Sequence, residues 1–485
     1  MRSCPVLLIF VFSTGWRTDA FSPGTLLTRI HSISTNNRWK PSSNLPVETR
    51  ARNRITLFTQ ENGLAEFDSE NQSAKQQPAL DILNAALLVS GTTIGGGFLA
   101  LPTVVAPSGF YPSAVTLIGV WTYFLAQSFV LVECINRARN NNGGQQDQSQ
   151  GVAATAKSVF GIKGEVTIGV LLAVLIQATL VSQISRAGMM FPNYRAGCLI
   201  SALSIAAVVF GPRSGIIFAS KANAVLTSLF LLSAMSVFGC GIQMADWSRL
   251  SVSNNWSSIP SAIPTFLQLL VYGEIVPSVC QILKYNTKHI HGAIILGSIM
   301  TLCLQIGWSG LGLSLVSSSA IDPVNVLLSS SGPVRIPLFC LAFTAILTTI
   351  LGSYLALLST VNDFLGRKEG KNNLKSYSSS ISQRMKVASV ITIPASIIAC
   401  TSPTIFLQAI DFAGSYPVLM LWGIIPPVIA LVQRFKCRRD LREGEVSPAL
   451  NTAGPSVWVA LLGSISLAMV GKNTFNDLVP LLKMI

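Results

Sequence analysis

The chain has 485 residues, 50% of them hydrophobic and only 11% charged, with a mean hydropathy of +0.54. Soluble domains carry about 25% charged residues, so this composition excludes a soluble two-layer fold and defines a polytopic membrane protein. The net charge of +14 does not mark a nucleic-acid binder. The positives sit in the N-terminal extension and in short loops between apolar segments, and no basic stripe with interleaved aromatics occurs, so no nucleic-acid partner is expected.

Residues 1–79 differ from the rest. Arg2, the apolar run 6–12 and then Thr18-Asp19-Ala20-Phe21 predict a signal peptide over 1–20. A transit-like presequence follows in 21–79, with Arg29, Arg38, Lys40, Arg50, Arg52 and Arg54 against Glu48. It ends in a polar linker, 61–79, whose composition predicts disorder. With Phe21 just behind the cut, the two-part arrangement resembles the bipartite presequences of algae whose plastids lie behind extra membranes. It predicts the plastid inner envelope. The alternative is a plain secretory signal with a disordered tail, and then another endomembrane or the plasma membrane.

The transporter domain is expected over 80–485. Apolar windows predict eleven membrane helices, at 80–105, 111–136, 165–186, 196–212, 215–243, 263–283, 290–316, 336–362, 385–401, 407–433 and 455–471. Charge supports this count. Loops on one side carry clusters such as Arg137 and Arg139, Lys284 and Lys288, and Arg434 to Arg442. The other side carries only Arg186, Arg195, Arg249, Arg335, Lys472 and Lys483. The alternation puts the mature N-terminus on the positive side and the C-terminus opposite. Glu133 and Asp363 lie near span ends, where water is expected to solvate them.

The first span contains Gly91-Thr92-Thr93-Ile94-Gly95-Gly96-Gly97, closed by Pro102. Each glycine costs about 1 kcal/mol relative to alanine in a helix. An opened helix persists in hydrocarbon only where it lines a cavity or is buried in protein. A second break is expected at Tyr272-Gly273-Glu274-Ile275-Val276-Pro277. Spans one to five (about 80–243) and six to ten (about 263–433) form two units of odd helix number, so the second enters the membrane inverted. Each unit begins with its broken helix, the pattern of an inverted-repeat transporter. The span at about 455–471 is an appendage.

The first break would turn backbone N–H groups and a half-helix end toward the cavity. That suits a carboxylate, with Thr92 and Thr93 adding hydroxyl donors. The alternative is that the glycines only allow close helix packing. Glu274 sits mid-membrane, where a carboxylate is costly unless partnered or protonated. It suits a group that takes up a proton in each cycle, or one that receives a substrate ammonium, or a structural tie. Tyr272 offers a hydroxyl or an aromatic wall. Asp411, at the start of the tenth span, is a second proton-coupling candidate, with packing, capping or gating as its other open roles. Gln177, Gln183 and Ser185 of the third span could line the cavity or tie helices together. His31, His289 and His291 are the only histidines. No HExxH, GxSxG or Gly-Lys-Ser/Thr loop occurs, so no catalytic residue, metal site or ATP-driven step is expected.

Residues 91–102, ending Gly97-Phe98-Leu99-Ala100-Leu101-Pro102, resemble the first-helix signature of the aromatic amino acid permeases, the tyrosine and tryptophan transporters. Val276-Pro277-Ser278 is similar to that family's second broken helix, and the stretch 407–416 to its late-helix motif. The resemblance covers roughly 80–471. It implies an all-α, eleven-helix, leucine-transporter-type fold with discontinuous first and sixth helices, and proton-coupled symport of aromatic amino acids, tyrosine favoured, then tryptophan and phenylalanine. The proton gradient is the driving force, with no cofactor. Carried over by position, Thr92, Thr93, Gly95, Gly96 and Gly97 match the carboxylate-binding break, and Tyr272, Gly273 and Glu274 the second. Bacterial members tend to have a histidine there; Gly273-Glu274 excludes coupling by histidine at this place. The alternatives are a transporter of wider neutral amino-acid range, or a passive facilitator without ion coupling.

Overall fold

The computed structural model describes residues 79–141, 152–210, 215–251, 254–315, 323–329, 332–366, 381–442 and 453–482. The expected signal peptide and presequence lie outside them, save for Ala79. The described residues are helical almost throughout, and every expected span has a helix. Among the described residues, eight helices are long and apolar enough to cross a membrane, and the bent pair Ala79–Thr93 and Gly96–Val105 supplies another. Tyr194–Val209 and Ala388–Ala399 are shorter apolar helices.

The first span breaks later than its glycines suggest. The helix runs on through Thr93 because Thr92 Oγ1 donates to Leu88 O (2.9 Å) and Thr93 Oγ1 to Val89 O (2.7 Å). Only Ile94 and Gly95 leave the helix, and the chain then turns by 52°. The sixth span, Ile259–Leu270 and Val276–Ile282, opens at Val271 and Tyr272. Both second halves restart alike, through a 3₁₀ turn (Gly96–Ala100; Gly273–Ile275) and then a helix with a proline in its first turn, Pro102 and Pro277. A proline there lacks an N–H that would have no helical partner anyway.

Buried side chains fall into two large packed groups. One is drawn from the third, fourth, eighth and ninth spans, joined by Leu99, Ile405 and Ala409. The other holds the buried faces of the first, second, sixth and seventh spans, with parts of the third, fifth, eighth, tenth and eleventh. Equivalent members of the two five-helix units therefore pack together. Phe98 enters one group and its neighbour Leu99 the other. The first break thus sits on the seam between the two packed groups.

Several features depart from the sequence reading. The third span is longer, Val152–Gly188, and kinks at Gly161, whose φ of 65° favours glycine. Lys157 reaches Glu165 across that kink (2.8 Å). A short helix, Pro323–Ser329, precedes the eighth span. The tenth span is α-helical over Ile405–Ala413 and Ile425–Arg442 and π-helical between, over Gly414–Ile424.

The tenth and sixth spans touch backbone to backbone at the start of that π segment. A Cβ on Gly414 would lie 1.8 Å from Pro264 O and 2.6 Å from Pro264 C. Backbone cannot yield as a side-chain tip can, so Gly414→Ala must part the two helices. Overpacking of this kind costs about 1–3 kcal/mol. The expected result is a lower thermal midpoint in detergent, with Gly91→Ala, which meets nothing within 4 Å, as the neutral control. Equal midpoints for the two variants would refute this contact.

Candidate functional site

The two breaks meet. A Cβ on Gly97 would lie 2.5 Å from Leu269 Cδ2, two residues before the sixth span opens at Val271. On the other side, a Cβ on Gly96 would lie 1.9 Å from Gln183 Oε1 of the third span, and one on Gly95 3.1 Å from Thr349 Oγ1 of the eighth. Gly95, Gly96 and Gly97 are therefore explained by close approach on three sides rather than by unusual dihedrals, and Gly91 by neither.

Breaking a helix strands backbone donors and acceptors, which must be paired. Three side chains do this. Gly96 N donates to Thr349 Oγ1 (2.7 Å), whose hydroxyl in turn donates to Ala345 O (2.8 Å). Trp308 Nε1 donates to Phe98 O (3.0 Å) and its ring stacks on the Phe98 ring at 5.3 Å. Gln305 Nε2 donates to Leu269 O (2.7 Å). Gln305 and Trp308 lie three residues apart on the seventh span, so they share a face. One helix thus holds an acceptor at each break. The sequence reading passed over all three. Glutamine and tryptophan one turn apart in an otherwise apolar span were the available signal.

The residues proposed from sequence are placed unequally. Gly95, Gly96 and Gly97 lie at the meeting point. Thr92 and Thr93 stand before it, their hydroxyls engaged with their own turn. Tyr272 is 2% exposed. Its hydroxyl turns toward Ser128 and Ser298 on the second and seventh spans without closing a hydrogen bond, so it packs between helices instead of facing the glycines. Gly273 lies under the Trp422 ring, where a Cβ would come within 2.4 Å of an indole carbon.

Glu274 is surrounded by protein, yet its side chain is exposed. The exposure means that the carboxylate can be reached. Among the described residues it makes no hydrogen bond or ion pair. Asp411 differs. It lies in the second turn of its helix, past any capping position, and accepts from Thr265 Oγ1 at 2.5 Å, linking the tenth span to the first half of the sixth.

Two charges are not where the sequence reading put them. Arg186, expected as a boundary charge at the end of the third span, lies inside Val152–Gly188, is 3% exposed, and holds its guanidinium 5.1 Å from the Phe406 ring centroid. Glu133, expected to be solvated, is fully buried and takes two hydrogen bonds from Arg434, at 2.8 and 2.7 Å. Its burial is tolerated because the guanidinium and further donors satisfy its oxygens. Both were hidden by partners distant in sequence.

An all-helical membrane chain whose two interrupted spans meet at the seam of two packed units is built as a membrane transporter. Residues 79–443 match the model of the tryptophan/tyrosine permease family, and the chain belongs to that family. It is 26% identical over 373 residues to "Tyrosine-specific transport system 1" of Haemophilus influenzae, covering 71% of this chain and 86% of the relative. It is 21% identical over 386 residues to "Tryptophan-specific transport protein" of Pseudomonas aeruginosa, covering 74% and 88%. Among solved structures, MhsT in complex with L-phenylalanine overlaps with a TM-score of 0.49 at 11% identity, covering 82% of this chain and 98% of that one.

Proposed function

We propose that the protein is a proton-coupled symporter of aromatic amino acids, tyrosine first, working by alternating access around the two breaks. The zwitterion docks where they meet. Gly96 N is engaged by Thr349, so its carboxylate is taken by the neighbouring amides of Gly95 and Gly97 together with the half-helix Gly96–Val105. Rocking of the two packed groups about the seam through Phe98 and Leu99 exposes the site to each side in turn.

The observation that carries the coupling is Glu274, a reachable mid-membrane carboxylate without an ionic partner among the described residues. Such a group is stable when it holds a proton or meets a cation, and binding that alternates with its exposure to the two sides moves a proton with each cycle. The names of the relatives support an aromatic amino acid as substrate. The composition of residues 1–79 supports the plastid inner envelope, the positive loops then facing the stroma.

The test is uptake of labelled tyrosine, tryptophan, phenylalanine and leucine into proteoliposomes, with and without an imposed pH gradient. Accumulation of tyrosine above equilibrium, only with the gradient and ahead of leucine, is expected. Equilibration indifferent to the gradient would instead describe a facilitator.

A further inference from the structure

Resting on that reading of the site, we infer that Gln183 is a substrate-contacting residue that determines specificity, its side-chain oxygen receiving the ammonium group of the amino acid. The side chain is 1% exposed and sits against the first break. Its Oε1 is buried without a hydrogen-bond partner. A buried amide oxygen left unpaired is costly, and native proteins seldom leave one without a ligand or water to fill it.

Which end of the amide faces the break follows from its neighbours. Ser182 Oγ donates its one proton to Thr179 O (2.8 Å). It can therefore only accept from Gln183, and Nε2 is the end that donates to it, at 3.1 Å. The oxygen is left pointing at Gly96. No backbone donor takes it up; the Gly96 N–H is turned to Thr349 instead. What is left unpaired against the break is a buried acceptor, and the complementary group on an α-amino acid is its ammonium, a donor of three hydrogens, which reaches the oxygen once the seam parts. The glycine at position 96 has the same cause: any side chain there would occupy the space in which the oxygen lies.

The assignment separates the two ends of the zwitterion. The carboxylate meets backbone amides of the first span, and the ammonium meets the third span across the seam. A ligand holding both would bind the two packed groups together only when it carries both charges.

The experiment compares displacement of labelled tyrosine from purified full-length protein by tyrosine and by 3-(4-hydroxyphenyl)propionate, which keeps the ring and carboxylate and lacks the ammonium. Wild type should prefer tyrosine strongly. Gln183→Leu should cut that preference about ten- to a hundredfold, the worth of one hydrogen bond to a charged group, while binding of the propionate changes little. Gln183→Glu, which keeps the acceptor and adds charge, should widen the preference, and it decides the matter if the leucine variant fails to fold. An unchanged preference in Gln183→Leu, or an unchanged or narrowed one in Gln183→Glu, would assign the oxygen to water or packing and overturn the inference. Wild-type protein that binds neither compound would overturn the proposed function itself, a result distinct from either variant's.

Discussion

Glu274→Gln is expected to stop accumulation of tyrosine under a pH gradient, leaving uptake that only equilibrates, while exchange of internal for external tyrosine stays within a few-fold of wild type. The substitution keeps size and polarity but removes the proton-binding oxygen. If the carboxylate carries the proton, net movement of a loaded carrier loses its driving force, whereas exchange needs no change of protonation. Wild-type uptake should fall as the pH on the loading side rises, because fewer carriers are protonated there. The glutamine variant's exchange should be flat over the same range. Retained accumulation would remove Glu274 from the coupling step. Equal loss of exchange and accumulation would make it a substrate contact or a fold determinant. The geometry favours the first outcome, since the side chain is reachable and makes no ion pair among the described residues.

Much of this architecture was legible before any coordinates. Apolar stretches long enough to span hydrocarbon are a strong signal, and each expected span has its helix. Two of the three shortest expected spans, 196–212 and 385–401, fold as the short apolar helices Tyr194–Val209 and Ala388–Ala399, whereas the third, 455–471, lies within the longer helix Ser456–Leu482. The breaks were legible because glycine and proline act locally. Their exact position was not, because Thr92 and Thr93 extend the first helix by bonding back to their own turn. The residues that hold the breaks open were also hidden. Thr349 meets Gly96 from 253 positions away and Trp308 meets Phe98 from 210, and no local pattern encodes such pairings. The π segment over Gly414–Ile424 was also not foreseen, although Pro417 within it removes one helical N–H donor.

The same logic of distant partners makes Glu133 the strongest candidate for a stability determinant outside the site. Its two oxygens collect Arg434 at 2.8 and 2.7 Å, Arg137 at 3.1 Å and the Ala453 amide at 2.9 Å. Arg434 also reaches Ser456 at 3.4 Å. One carboxylate thereby ties the second span to the end of the tenth and the start of the eleventh, so the eleventh helix is fastened here and is not a loose appendage. Removing the carboxylate would leave Arg434, 4% exposed, and Arg137, 10% exposed on its side chain, as adjacent like charges with little water. Breaking one side of such a buried pair costs about 3–5 kcal/mol, more than the intact pair gains over an apolar replacement. Glu133→Ala is therefore expected to lower the thermal midpoint in detergent far more than a typical surface change, and the double variant Glu133→Leu with Arg434→Met to recover much of the loss. A single variant as stable as wild type would show that water or lipid headgroups compensate the guanidinium. A double variant no better than the single would mean that the hydrogen-bond geometry, and not the uncompensated charge, is what the cluster contributes.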